Sequence, residues 1–73
     1  MNIILYKTDV CTQCRVAKAK LERKGIPFTE VKDLNVMRAA GIETIPTLEV
    51  DGERITDIGT INKWINAQEA VNG

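Results

Sequence analysis

An α/β fold with the element order β-α-β-α-β-β-α is predicted for this 73-residue chain by three observations. An apolar run, Ile3-Ile4-Leu5-Tyr6, leads into a helix-period stripe at Cys14, Ala17 and Leu21, and the alternating segment Phe28-Thr29-Glu30-Val31 then completes a βαβ unit. Asp51-Gly52 between two strand-like runs is the strongest hairpin signal in the chain. Ile61, Trp64, Ile65 and Gln68 recur at helical spacing and supply a closing helix. A single domain over residues 1–73 is expected, and at this size it hides only roughly 60% of its unfolded surface, so its core must be compact.

The first strand, residues 2–6, is a continuous apolar run of the kind covered on both faces, which predicts a central place in the sheet. The first helix runs from Thr12 to Lys24, where a basic last turn and then Gly25 suit a C-terminus. Pro27 cannot continue that helix, and residues 28–31 alternate as a half-buried strand. Asp33 is a plausible N-cap for a short helix over residues 33–40 that breaks at Gly41. Thr47–Val50 and Arg54–Thr56 form the antiparallel hairpin pair. After Gly59, Thr60 can cap the last helix, and the tail Val71-Asn72-Gly73 is expected to fray.

Ten Lys and Arg balance ten Asp and Glu, so no bulk charge argues for nucleic acid or a membrane surface as a partner. Locally, Arg15, Lys18, Lys20, Arg23 and Lys24 make the first helix a basic face, which usually means a solvated one. The first apolar run is too short for a signal h-region or a membrane span, and a cytoplasmic location is expected. In that reducing setting a close cysteine pair points to redox or metal chemistry rather than to a structural staple.

Cys11-Thr12-Gln13-Cys14 holds both cysteines of the chain, at the start of a helix, where two thiols can close and reopen a small disulfide ring. The nucleophile in such chemistry is the thiolate, so something must favour the anion. At the mouth of the first helix, the free N–H groups and the positive end of the dipole point at the sulfur of Cys11. Lys7 is a candidate thiolate stabiliser, with Arg15 and Lys18 as further sources of positive charge. Cys14 falls on the apolar stripe, so it is expected to be buried and to remain a thiol until a mixed disulfide forms on Cys11. Cys11 is therefore expected to attack and Cys14 to resolve. The chain has no His, which removes Cys-His catalysis and weakens a zinc reading. One Cys-x-x-Cys supplies two of four metal ligands, so a metal or iron-sulfur site needs two chains or an external thiol.

Strand, Cys-x-x-Cys, basic helix and a later Thr44-Ile45-Pro46-Thr47 before a hairpin together resemble the thioredoxin superfamily over nearly the whole chain. Within it, Cys11-Thr12-Gln13-Cys14 followed by Ala17-Lys18 and Leu21 looks most like the glutaredoxin-like NrdH-redoxins, whose motif is often Cys-Val-Gln-Cys; Thr12 here replaces the Val. The resemblance implies a thioredoxin fold, a four-stranded mixed sheet flanked by three helices, with a cis Pro46 facing the dithiol. Such a proline leaves the backbone of Ile45 free to pair with an extended substrate segment beside Cys11. The residues alone also allow an ordinary trans proline opening a strand. Glutathione-using glutaredoxins carry Cys-Pro-Tyr-Cys and a Gly-Gly followed by Asp near the last helix. This chain has Ile58-Gly59-Thr60-Ile61-Asn62-Lys63, with Thr60 in place of the second Gly and no acid close behind, although Gly59, Thr60 and the helix N-terminus remain able to receive an anion. Lys7 also lies one residue further from Cys11 than the basic residue common in glutaredoxins.

Trp64 reads as core ahead of a reductase-docking contact, and Tyr6 as either a shield for the dithiol or a cap on the core. The function expected is dithiol-disulfide exchange with protein disulfides. Substrate contacts fall on Thr12, Gln13, Ile45, Pro46, Gly59 and Thr60. By resemblance, electrons come from NADPH through thioredoxin reductase and go to ribonucleotide reductase or a similar disulfide protein, with no bound cofactor and a monomeric carrier. Glutathione as donor is the nearest alternative, and a metal- or cluster-bridging dimer module is the alternative of another class.

Overall fold

The computed structural model describes residues 2–68, so the expected fraying of residues 71–73 lies outside the described residues. The elements are β1 (Ile3–Tyr6), α1 (Thr12–Arg23), β2 (Thr29–Val31), α2 (Leu34–Ala39), β3 (Thr47–Val50), β4 (Glu53–Ile55) and α3 (Ile58–Ala67). They form one sheet in the order β2-β1-β3-β4, which puts β1 inside it as its apolar run requires. β1 pairs parallel with β2, while β1 with β3 and β3 with β4 are antiparallel, so the sheet is mixed.

Local chemistry sets the boundaries. α1 stops in a Schellman turn in which the Ile26 amide donates to Leu21 O and the Gly25 amide to Glu22 O, both at 3.0 Å. Gly25 takes φ +69° there, a left-handed conformation that a side chain would strain. α2 is capped as expected, with Asp33 Oδ1 accepting from the Asn35 amide at 2.8 Å. The hairpin turns on Asp51-Gly52, both at positive φ (+49° and +90°), with Val50 opposite Glu53. β2 begins one residue later than the alternation suggests, at Thr29, and Phe28 just before it packs against the core. β4 likewise runs over residues 53–55 and leaves Thr56 outside.

The cap of α3 departs from expectation. Asp57, not Thr60, is the N-cap: its Oδ2 accepts from the Thr60 amide at 3.0 Å and from the Thr60 hydroxyl at 3.2 Å, which places Thr60 inside the first turn. Both residue types cap well, and the carboxylate three positions upstream also meets the helix dipole.

The core lies on one face of the sheet, where Ile3 and Leu5 of β1 and Leu48 of β3 meet Ala17 and Leu21 of α1, Ile26, and Ile61 and Ile65 of α3. Leu5, Leu21, Leu48, Ile61 and Ile65 are wholly buried, and burial of such a side chain contributes roughly 1.5–3 kcal/mol over leaving it in water. Trp64 is partly buried against this cluster, in keeping with its reading as core. Tyr6 and Met37 are buried outside it, Tyr6 on the alternate row of β1. No helix among the described residues is long and apolar enough to cross a membrane.

Candidate active site

Strand direction gathers the candidate residues at one end of the sheet. β1 and β2 are parallel and β3 runs against them, so the loop after β1, the segment before β3 and the segment after β4 all emerge together. These carry Cys11 and Cys14, Ile45 and Pro46, and Gly59 and Thr60 respectively. Ligands of open α/β sheets commonly bind at the carboxyl ends of the strands, and this is that end for β1, β2 and β4.

Cys11 is the N-cap of α1. Its backbone is extended (φ −89°, ψ 113°), and its Sγ accepts a hydrogen bond from the Cys14 amide at 3.1 Å. Sulfur here takes the place of the side-chain oxygen usual in a cap, and α1 has no acidic residue in its first turn to compete for the same field. Cys11 is half-buried, and both cysteines are free thiols. Cys11 is held in turn by its loop: its amide donates to Thr8 O at 3.4 Å, and the Arg15 guanidinium reaches back to Asp9 O at 2.9 Å.

Cys14, three residues into the helix, is fully buried beside Ala17 and Leu21. Burial first, and then the hydrogen bond to Cys11, push its thiol up to about 11, against a weaker opposing pull from the Thr8 backbone and from Lys7. The pair is therefore asymmetric, with one sulfur accessible and capped by an N–H and the other dry and protonated. Thr12 and Gln13 are exposed on the turn between them.

The peptide bond before Pro46 is cis, as the family resemblance implies. Pro46 is buried and Ile45 half-buried. Just beyond Pro46, the buried hydroxyl of Thr47 donates to Thr44 O at 2.7 Å and fixes the entry to β3. A cleft of about 460 Å³ lies next to this segment, with Ile45, Ile42, Leu34 and Met37 as apolar lining and Arg38 and Glu43 at polar positions.

Lys7 is not where a direct partner of Cys11 would be. Its side chain is buried, and its ammonium is committed to Glu30 Oε1 at 3.0 Å and Asp9 Oδ1 at 3.4 Å. The hydrogen bond to Glu30 is the main cause that raises Lys7 above its usual value and lowers Glu30 below its own. Gly59 and Thr60 sit exposed at the start of α3, where the amide of Thr60 is already taken by Asp57. Asp57, Glu30 and Asp9 were not anticipated as site residues. Asp57 left a signal in its Asp-x-x-Thr spacing, whereas Glu30 meets Lys7 only through the parallel register of β1 and β2. Among the described residues no three of His, Cys, Asp and Glu gather into a set that could hold a metal ion.

Comparison with known proteins agrees with this arrangement. The sequence model described as Glutaredoxin matches residues 3–55. Glutaredoxin 3 of Escherichia coli (strain K12) is 30% identical over 61 residues, covering 74% of this chain and 74% of that protein. Among solved structures, the glutaredoxin-like protein NrdH-redoxin from Escherichia coli superposes with a TM-score of 0.66 at 22% identity, over 86% of this chain and 93% of that one. The glutathione S-transferase from Ascaris lumbricoides superposes with a TM-score of 0.74 at 20% identity, over 89% of this chain but 34% of the transferase, so the chain spans about a third of that protein. The fold is thioredoxin-like, a four-stranded mixed sheet with three helices.

Proposed function

The chain belongs to the glutaredoxin family of thiol-disulfide oxidoreductases, and from that premise we propose that it is an NrdH-redoxin-like dithiol carrier that reduces protein disulfides and is itself re-reduced by a flavin-dependent thioredoxin reductase. In the cycle, the Cys11 thiolate attacks a target disulfide and a mixed disulfide forms. Cys14 then attacks Cys11 Sγ, the target leaves as its second thiol, and the Cys11–Cys14 disulfide awaits two electrons from NADPH through the reductase. The extended target segment runs past Ile45 and Pro46, with Thr12 and Gln13 alongside. Ribonucleotide reductase is the protein substrate favoured by the Gln13-Cys14 motif, and the setting is a reducing cytoplasm in which one chain works alone.

The observation that carries the choice of donor is the cap on α3. A glutathione carboxylate would be received by a free amide at this helix start, but the Asp57 carboxylate already holds the Thr60 amide and hydroxyl at 3.0 and 3.2 Å and adds a negative charge where an anion would sit. The measurement that decides is reduction of one protein disulfide with NADPH and either thioredoxin reductase or glutathione plus glutathione reductase. Turnover is expected with the first system at least tenfold above the second. Efficient turnover with glutathione alone would sink this reading and make the chain a glutathione-dependent glutaredoxin.

A further inference from the structure

Among the described residues Lys7 is the only buried charged side chain. Its amide extends the β1–β2 ladder by donating to Val31 O at 3.0 Å, so strand alternation carries its side chain to the same side as Ile3 and Leu5. That is the side α1 covers with Cys14, Ala17 and Leu21. Cys14 and Lys18 are one helical turn apart on α1, and Glu30 takes Lys18 Nζ on one oxygen and Lys7 Nζ on the other, each at 3.0 Å. Glu30 thus pins the Lys7 ammonium against α1 next to that turn. The backbone of Thr8, directly after Lys7, acts on the Cys14 thiol in the same direction as Lys7.

We propose that Lys7 is a positioning residue for the resolving step, its ammonium favouring the Cys14 thiolate through space while Glu30 holds that ammonium in place and offsets part of its field. The charged and titratable groups that bear on this site are Glu30 from β2, Asp9 from the β1–α1 loop at 3.4 Å from Lys7, Lys18 from α1, Lys32 beyond β2 at 3.7 Å from Asp9, and the Cys11 thiol. Burial holds the Cys14 thiol up, which slows resolution, and the Lys7 ammonium pulls the other way. In the step itself Cys14 gives its proton to water, and its thiolate attacks Cys11 Sγ. The Cys11–Cys14 bond forms, the mixed disulfide breaks, and the departing thiolate takes up a proton. The chain loses two electrons and the target gains them.

The inference rests on Cys14 being the resolving thiol, and one assay separates the two claims. Reduced protein is mixed in stopped flow with 5,5′-dithiobis(2-nitrobenzoate), which releases one coloured thiolate when Cys11 attacks and a second when Cys14 resolves. Cys14→Ser is expected to release only the first; a second release undiminished in that variant would overturn the cysteine roles, whatever Lys7 does. In the native pair, Lys7→Met is expected to move the rising limb of the second phase up by about one pH unit, which is about tenfold slower near neutral pH, with rates converging at the alkaline end. Glu30→Gln, which uncovers the ammonium, is expected to move it the other way, to a rate about threefold higher. Lys7→Arg keeps the charge and should keep the profile. An unmoved limb in Lys7→Met, or shifts of the same sign in Lys7→Met and Glu30→Gln, would overturn the proposal. Where Lys7→Met does not fold, Lys7→Met/Glu30→Gln removes both charges and decides alone: a limb above that of the native protein supports the assignment, and one at or below it refutes it.

Discussion

At the scale of single residues, two sulfurs three positions apart live in different solvents. Cys11 sits half in water with an amide aimed at it, and Cys14 sits in the core. Their difference predicts which is alkylated. With limiting iodoacetamide near neutral pH, reduced protein should carry the label on the Cys11 peptide by mass spectrometry. Cys14 should join only as the pH climbs toward about 11, because its reactive thiolate accumulates as pH rises toward that value. Equal labelling of both at neutral pH would refute the asymmetry. This contrast was legible in the sequence, since Cys14 shares a helical stripe with Ala17 and Leu21 while Cys11 precedes the helix. The surroundings of Lys7 were not legible. Its partner Glu30 is 23 positions away, and nothing in either local segment says that two polar side chains will meet under a helix.

At the scale of elements, caps and turns explain both what was readable and what was not. Asp51-Gly52 specified its hairpin because only a few residue types tolerate positive φ at both central positions of such a turn. The start of α3 was harder, because Asp57 and Thr60 are both good caps three positions apart, and their geometry in the fold decides between them. Asp57→Ala should therefore cost about 0.5–2 kcal/mol. Thermal unfolding should register that loss as a fall of roughly 4–8 °C per kcal/mol, the range for a domain of this size. Thr60→Ala, which removes only a hydroxyl donor to the same carboxylate, should cost clearly less. A Thr60→Ala loss equal to or above that of Asp57→Ala would return the cap to Thr60. The same pair tests the donor argument, since freeing the Thr60 amide should raise any residual use of glutathione.

At the scale of the whole molecule, the Lys7–Glu30–Lys18 cluster ties β1, β2 and α1 into one unit and links stability to pH. Glu30 is held below its ordinary 4.5, chiefly by the Lys7 hydrogen bond, so the stability it contributes is present above that value and is lost as pH falls through the lower folded one. Lys7 is held above its ordinary 10.5, so its contribution is full below that value and is lost as pH rises through the higher folded one. Denaturant midpoints should accordingly fall on the acid side below about pH 4.5. Glu30→Gln should lower the plateau and flatten that acid limb, and an acid limb of unchanged steepness in this variant would show that other carboxylates set it. The overall fold was legible because the central strand, the βαβ unit and the hairpin each carry strong local signals that agree with one another. The gathering of Ile45, Pro46, Gly59 and Thr60 at the dithiol end follows from strand direction, which those signals already contain. The outermost strands, β2 and β4, have a further consequence for life in a crowded solution. Each is three residues long, and exposed Glu53 and Arg54 bring charge to the open backbone of β4. So short and charged a border offers a visiting chain little to template on, which guards the protein against edge-to-edge aggregation.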